Sequence, residues 1–452
     1  MSNIRRIHDF QHRFTFSSQT EEFDTFYARF LESDLGKIYI AVPWGELVSA
    51  FKLEEPKKGP RSIFSAKGKL GLMLLKNYSG FSDRKLMEQL NGNLDWQFFC
   101  DIYLGADRLD NFKMISEIRC ELAGKLDIDK VQQAFYGHWS PHMADKGCIT
   151  MDATCYEDHL RYPTNVKLLW EAVDWLHGLL RGLCKRTGEP LPRNKYLKWK
   201  KRYVSYSKMR RKTKKKRRAL TRSLLLLLDK LGGEVDRLEA RHAVAMTKDQ
   251  YRRRATAKKV LAQQYGYFHH SKKPMDRIVS MDRPYIRPIV RGKEIKPVEF
   301  GAKVNKFQID GISFIEHLSF DAFHEGNRFQ DTIFKAQRLT GTKTRLAGAD
   351  AIYATNKNRR FAAKYDIRTD FKRKGRAGKH EKQRSGLAGA ITKERASRLE
   401  GSFGKDKEHY HLKRIRARTK ATGILWIFFG IHTGNSLEVG RRMAATARKK
   451  AA

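Results

Sequence analysis

Three carboxylates in this 452-residue chain have types and spacing that could do chemistry together: Asp152, closing the short apolar run "GCITM", Asp350 at the end of "TRLAGA", and Glu400 in "KERASRLEGSFGKDKEHYHLKR". Each alone has an ordinary reading. An aspartate after a strand is usually a turn or helix-cap residue, and a helical glutamate is usually solvated. Together they could place two divalent cations roughly 4 Å apart, one activating a nucleophile and one steadying a leaving oxygen. Hydrolysis or transfer at a phosphodiester needs that arrangement, and hard Mg²⁺ prefers carboxylate oxygen.

On a regular helical wheel Lys393, Gly404, Lys407 and His411 fall on the side of Glu400, while Ala396, Leu399, Phe403 and Tyr410 gather elsewhere. Gly404 costs about 1 kcal/mol in a helix but leaves room for a metal and a phosphate. Lys407 can grip the same backbone. Glu157, Asp158, Asp321 and Glu394 compete as ligands; on the same wheel Glu394 lies opposite Glu400, and Glu157 and Asp158 point beyond the strand.

The elements that must position these acids follow from periodicity and turn residues. A strand carries Asp152. "RIVSMDRPYIRPIVRG", "VEFGAKVNKFQID" and "GISFIEHLSFDAF" read as strands with turns at Arg291-Gly292 and Asp310-Gly311, the second a strong hairpin signal. Then come a helix from about 327 to 339, the strand ending at Asp350, a helix over "NKNRRFAAKY", a strand near "IRTDFKR" and a long helix from about 388 to 413. That order predicts an α/β (α+β) fold with an RNase H-like core, residues 145–164 and 275–435, interrupted after its first strand.

The interruption, residues 165–274, is predicted to be a basic helical insertion. Val166, Leu169, Val173, Leu176, Leu180 and Leu183, then Leu224, Leu228, Leu231, Val235 and Leu238, recur in steps of three and four, so two helices should pair. Between them no acid occurs from Pro190 to Leu228, and Tyr196, Trp199, Tyr203 and Tyr206 are interleaved with cations. Phosphate neutralisation plus base stacking is the expected use. Lys200, Lys201, Arg202, Arg210, Arg211, Lys214 and Lys215 are the phosphate-contacting candidates. A solvated basic hairpin tip is the bland alternative.

The whole chain agrees with a polyanionic partner: 92 Lys+Arg against 49 Asp+Glu leave a net charge of +43. The longest apolar run, Ile424 to Ile431, is too short to span a bilayer and reads as a buried core helix. "MSNIRRIHDFQHRFTF" lacks the apolar centre of a signal peptide. Five scattered cysteines form no Cys-x-x-Cys pair, so a reducing cytoplasm is expected.

Upstream, residues 1–60 read as an arm with a helix around Glu21 to Leu31 and the linker "LEEPKKGPRS", and residues 61–140 as a helical domain. There Ser79-Gly80 breaks a helix, Ser82 caps the next, and Phe81 and Leu86 form a hydrophobic staple. Such a pair can face a major groove through Arg84 and Lys85, though bundles use it too. Residues 436–452 read as a basic tail.

"ITMDAT", the following "YPTNVKLL", "KPVEFGAKV", "AGADAIYATNKNR" and "RLEGSFGKDKEHYHL" together resemble bacterial insertion-sequence DDE transposases. "KGKLGLMLLKNYSGFSDRKLMEQLNGNLDWQFFCDI" resembles their helical N-terminal domain, so the likeness spans most of residues 60–435. The resemblance implies that Asp152, Asp350 and Glu400 bind two Mg²⁺ ions, with Mn²⁺ able to substitute. It implies that Lys407, in a Glu-x6-Lys spacing, contacts DNA near the cleaved phosphate, and that an arginine just before Glu400 assists. Both Arg395 and Arg398 qualify, and neither completes the Tyr-x2-Arg-x3-Glu pattern of some relatives. Tyr353, Asn358 and Arg359 are further candidates, with a helix-cap role open for Asn358.

The implied activity is cutting at element ends and joining the freed 3′-hydroxyls to target DNA, with double-stranded DNA bearing terminal inverted repeats as partner. A homodimer would hold the two ends, and no membrane is involved. A nuclease or resolvase without strand joining, and a non-catalytic nucleic-acid-binding protein, stay open. A tyrosine or serine recombinase would need a covalent nucleophile among positive groups, and no such set occurs.

Overall fold

The computed structural model describes residues 18–53, 62–290 and 297–451. Residues 1–17 of the arm, most of the "LEEPKKGPRS" linker and the Arg291-Gly292 turn lie outside the described residues. The chain divides into two units. One comprises Met1–Asp158, Ala302–Ser319 and Phe323–Ala452; the other comprises His159–Gly301 and Phe320–Ala322. The helices from 66 to 139, expected as a domain of their own, fall in the first unit with most of the sheet.

Six strands form one sheet: β1 (Cys148–Glu157), β2 (Pro288–Val290), β3 (Val298–Ile309), β4 (Ile312–Ser319), β5 (Leu346–Ala349) and β6 (Arg368–Thr369). β1 sits between β3 and β5. It runs parallel to β5, which runs parallel to β6. β3 pairs antiparallel with β2 at residues 298–300 and with β4 beyond residue 302. β1 is buried along most of its length, which is why "CITMDATCYE" is a nearly continuous run of apolar and β-branched residues. The predicted hairpin is present: Asp310 (φ 48°) and Gly311 (φ 79°) both adopt left-handed backbone, as a two-residue type I′ turn requires.

Among the described residues eight α-helices precede β1: α1 (Ser18–Glu32), α2 (Asp34–Ala41), α3 (Trp44–Ala50), α4 (Ala66–Ser79), α5 (Asp83–Gly92), α6 (Leu94–Phe99), α7 (Lys113–Lys125) and α8 (Ile128–Trp139). The capping read from the sequence is made. Gly80 ends α4 at φ 65°, and the Ser82 side chain accepts from the Lys85 N–H to start α5. Leu86 is buried, and Phe81 stacks on Trp96.

The second unit holds α9 (Asn165–Thr187), α10 (Tyr196–Lys208), α11 (Lys214–His242) and α12 (Lys248–His270). The two heptad seams meet inside it, with Leu169, Leu176, Leu180, Leu224, Leu228 and Leu231 in one core. They are thus used within the chain.

In the first unit α13 (Phe329–Thr340), α14 (Asn356–Lys364), α15 (Glu381–Glu394), α16 (Gly401–Glu408) and α17 (Lys420–Ala451) complete the chain. The helix predicted from 388 to 413 starts earlier, ends at Glu408 and is interrupted by a π-helical turn, Arg395–Glu400. The Ile424–Ile431 run is buried on α17 as expected. Residues 436–451, read as a tail, continue that helix, with Ser436 and Val439 buried. Among the described residues no helix is long and apolar enough to cross a membrane.

Candidate active site

The β1–β5 register decides where the two aspartates go. Met151 pairs with Ala349 at the last matched position, so Asp152 and Asp350 are the next residues on adjacent parallel strands, about 4.8 Å apart along the hydrogen-bonding direction. Asp350 leaves the sheet at once. Its side chain accepts from the Ala351 N–H at 2.7 Å and caps a short 3₁₀ turn, Ala351–Tyr353, so the cap role open to it coexists with the site. Asp152 Oδ1 accepts from the Ala153 N–H at 2.7 Å. Burial pushes the Asp152 carboxyl up to about 6, against that N–H; Glu325 and Asp350 push it further up, and Arg395 opposes them.

Glu400 closes the π turn, where the residue one turn back is five positions away rather than four. That residue is Arg395, whose guanidinium reaches Glu400 at 3.2 Å and Asp370 at 3.7 Å. The side chain of Arg395 is 13% exposed and that of Glu400 is 52% exposed. Arg398 points elsewhere, to Asp310 at 2.9 Å and Glu394 at 3.1 Å. Of the two arginines, the geometry brings Arg395 to the carboxylates.

Alternate residues of β1 share a face, and on it Asp152, Thr154 and Tyr156 meet this helical segment. Lys407 Nζ donates to Thr154 Oγ1 at 3.1 Å. The Tyr156 hydroxyl donates to the Asp406 carboxylate, which also pairs with the fully buried Lys306 of β3. Gly404 is exposed, and a Cβ there would meet nothing within 4 Å, so the space expected at this position exists. The regular wheel misplaces two residues. His411 lies past the end of α16 in left-handed backbone, its ring against Gly80, and Lys393 precedes the π turn, which changes its phase relative to Glu400.

Sequence reasoning missed Glu325. It lies on a 3₁₀ turn, Glu325–Arg328, pairs with Lys303 at 2.8 Å and acts electrostatically on Asp152. Gly326 brings that turn against the one after Asp350, since a Cβ would stand 2.6 Å from the Ile352 carbonyl. Asn358 fastens both turns, donating to the Gly326 carbonyl at 2.7 Å and the Tyr353 carbonyl at 2.8 Å; Thr355, not Asn358, caps α14. The buried Tyr353 hydroxyl donates to Asn305 Oδ1 at 2.6 Å. The Arg359 guanidinium donates to the Ala354 carbonyl at 3.1 Å. These three residues therefore position the Asp350 turn. Among the competing acids, Glu394 pairs with Arg398 and Asp321 lies 3.7 Å from Arg287.

In the second unit Lys200, Lys201, Arg202, Arg210, Arg211, Lys214 and Lys215 are all exposed. The interleaved aromatics are not presented to bases. Tyr196 and Tyr206 are buried, Tyr196 and Tyr203 stack on Trp170, and Trp199 packs against the same core. At helical spacing an aromatic stripe beside a cationic one is the inner face of an amphipathic helix.

Asp152 and Asp350 supply only oxygen donors, and Asp152 is a desolvated acid facing two further carboxylates. A divalent cation would relieve that repulsion, and oxygen donors are the kind that hard Mg²⁺ takes. Among the described residues no three acidic, His or Cys side chains are drawn together tightly enough to hold one ion; Glu400, the third corner, is held by Arg395.

Residues 26–121 match the family model of a transposase domain, DUF772. That stretch of the chain is similar to a transposase domain. No curated protein and no solved structure matches the chain. The transposase domain runs from within α1 to within α7 and contains the α4–α5 pair, on which Arg84 and Lys85 are exposed. Its buried Lys76 pairs with Asp83 at 2.7 Å, and Arg119 pairs with the same carboxylate at 2.5 Å. Lys76 and Arg119 each face the Trp426 ring of α17, at 5.6 and 5.7 Å, and so dock the transposase domain on the helix that follows the Glu400 segment.

Proposed function

We propose that this chain is a DDE transposase with an RNase H-like core, cutting at the ends of its element and joining the freed 3′-hydroxyls to target DNA. The placing of Asp152 on β1 and Asp350 just past β5, at the position after the last matched pair of these parallel strands, carries this reading, and the transposase-domain match supports it. The strand order, with β1 central and the antiparallel β3–β4 hairpin on one side and β5 and β6 on the other, supports the fold assignment.

Asp152, Asp350 and Glu400 would hold two Mg²⁺ ions, Glu400 after release from Arg395. When bound, the metal activates the attacking oxygen and stabilises the leaving one. The chain's own residues do the rest. Arg395, kept in place by Asp370, steers Glu400. Lys407, beside Thr154, offers a cation at the open helix surface by Gly404 for the phosphate next to the scissile one. The exposed cations from Lys200 to Lys215 neutralise more distant phosphates, so binding should weaken steeply with salt. Double-stranded DNA is the partner, and two copies of the chain are needed to hold two ends.

The test is strand transfer on DNA flanking the coding sequence, supplied with a free 3′-hydroxyl. The wild-type chain should give Mg²⁺-dependent joined product, and Asp350→Asn should give none while still binding the DNA. Cleavage without any joined product would identify a nuclease instead. Unchanged activity in Asp350→Asn would remove the carboxylates from the chemistry altogether.

A further inference from the structure

The second unit contains a cleft of about 1130 Å³ whose lining bears eight Lys or Arg side chains, five aromatic rings and no acid. Arg217 and Arg218 come from α11; Arg161, Lys273 and Arg277 come from segments flanking the helices. Among the described residues Lys167 is the one cation of the lining paired with a carboxylate, Glu171 at 3.4 Å; Arg277 reaches only the Asn165 amide, at 3.1 Å. So many cations facing one cavity repel one another, and a bound polyanion relieves that.

The rings decide which polyanion. Tyr162 is 71% exposed and Tyr267 is 45% exposed, and Phe268 lies under the Arg218 guanidinium at 5.6 Å. A duplex keeps its bases stacked on one another and offers such a surface only phosphates and groove edges. Unpaired bases offer π faces, and a cationic groove with aromatic platforms is what single strands bind. The cleft exceeds the ~300–1,000 Å³ of small-molecule pockets, which leaves room for more than one nucleotide. Tyr162 opens "YPTNVKLL", a motif that the carboxylate chemistry does not use. The buried rings of the basic tract cannot serve here, whereas Tyr162 and Tyr267 can.

We propose that this cleft binds an unpaired stretch of DNA, its phosphates held by Arg217, Arg218, Arg161 and Arg277 and its bases stacked on Tyr162 and Tyr267. The proposal rests on DNA being the substrate. Both tyrosines are exposed, so their removal should leave the helical core intact.

The experiment is fluorescence anisotropy on the full chain in EDTA, comparing an oligothymidylate of about ten nucleotides with a duplex of the same length. The Tyr162→Ala/Tyr267→Ala variant should bind the oligothymidylate about tenfold or more weakly and the duplex as the wild type does. Arg217→Ala/Arg218→Ala should weaken both and flatten the salt dependence. Unchanged oligothymidylate affinity without the two rings, or an equal loss for the duplex, would overturn the proposal. Because no metal is present, the cleft and the cleavage reading fail separately. Strand transfer with no ring effect removes the cleft alone, and a ring effect with no strand transfer removes the transposase chemistry alone.

Discussion

Asp152→Asn should abolish strand cleavage and at the same time make the protein more stable. The carboxylate is desolvated on β1, and Glu325 and Asp350 add to the cost of charging it, so its pKa rises from 3.8 to about 6. Between those values the folded chain keeps a proton that the unfolded chain has lost. Wild-type stability therefore falls as pH rises from about 4 to about 6, and the loss persists above that range. Every tenfold change in proton affinity between the folded and unfolded chain is worth about 1.4 kcal/mol, so the neutral amide should gain roughly 1–3 kcal/mol at neutral pH. Thermal or urea unfolding of both proteins measures it: the gap should be full above about pH 6 and closed below about pH 4. Cleavage should drop on the order of a thousandfold, comparable with loss of a key electrostatic group elsewhere. A stabilising change that removes activity is the signature of an acid kept for chemistry rather than for folding.

The second large effect concerns Lys306. Its side chain is fully buried, pairs with Asp406, donates to Ser402 at 3.1 Å and lies 4.7 Å from the Phe403 ring centre. Burial lowers its pKa, while Asp406 and Asp152 counteract that. Removing one member of a buried ion pair leaves an uncompensated charge, so Lys306→Met should cost about 3–5 kcal/mol in urea unfolding. Lys306→Met/Asp406→Leu should recover most of this, because the stranded charge goes with its partner. Ser402, Phe403 and Asp406 belong to the helix that carries Lys407 and follows Glu400, so the single variant should lose cleavage even at temperatures where it remains folded.

Much of this arrangement was legible in the residues. Ser82 and Gly80 obey local capping rules that tertiary contacts do not override, and Asp310-Gly311 needs only its two positive φ angles. The strand carrying Asp152 and the one ending just before Asp350 were legible because buried strands are apolar runs, and an acid within or just after such a run stands out. The Arg395–Glu400 pairing was not legible, because it depends on a π turn that a regular wheel of 100° per residue cannot represent. Neither was Glu325, whose approach to Asp152 needs Gly326 to let two turns nearly touch across distant parts of the chain. The aromatic residues of the basic tract do not face the way their composition suggests. Composition places rings among cations, but only packing against Trp170 reveals that those rings face inward.

The central claim is that Asp152, midway along β1, and Asp350, just past the end of β5, form a divalent-cation site. Mn²⁺ binding to the full chain at neutral pH, followed by electron paramagnetic resonance, measures it directly. Wild-type protein should bind Mn²⁺ and lose it as pH falls below about 6, where protons compete for Asp152. Asp152→Asn and Asp350→Asn should each abolish the binding. Mn²⁺ bound equally by the wild type and both variants would contradict the claim.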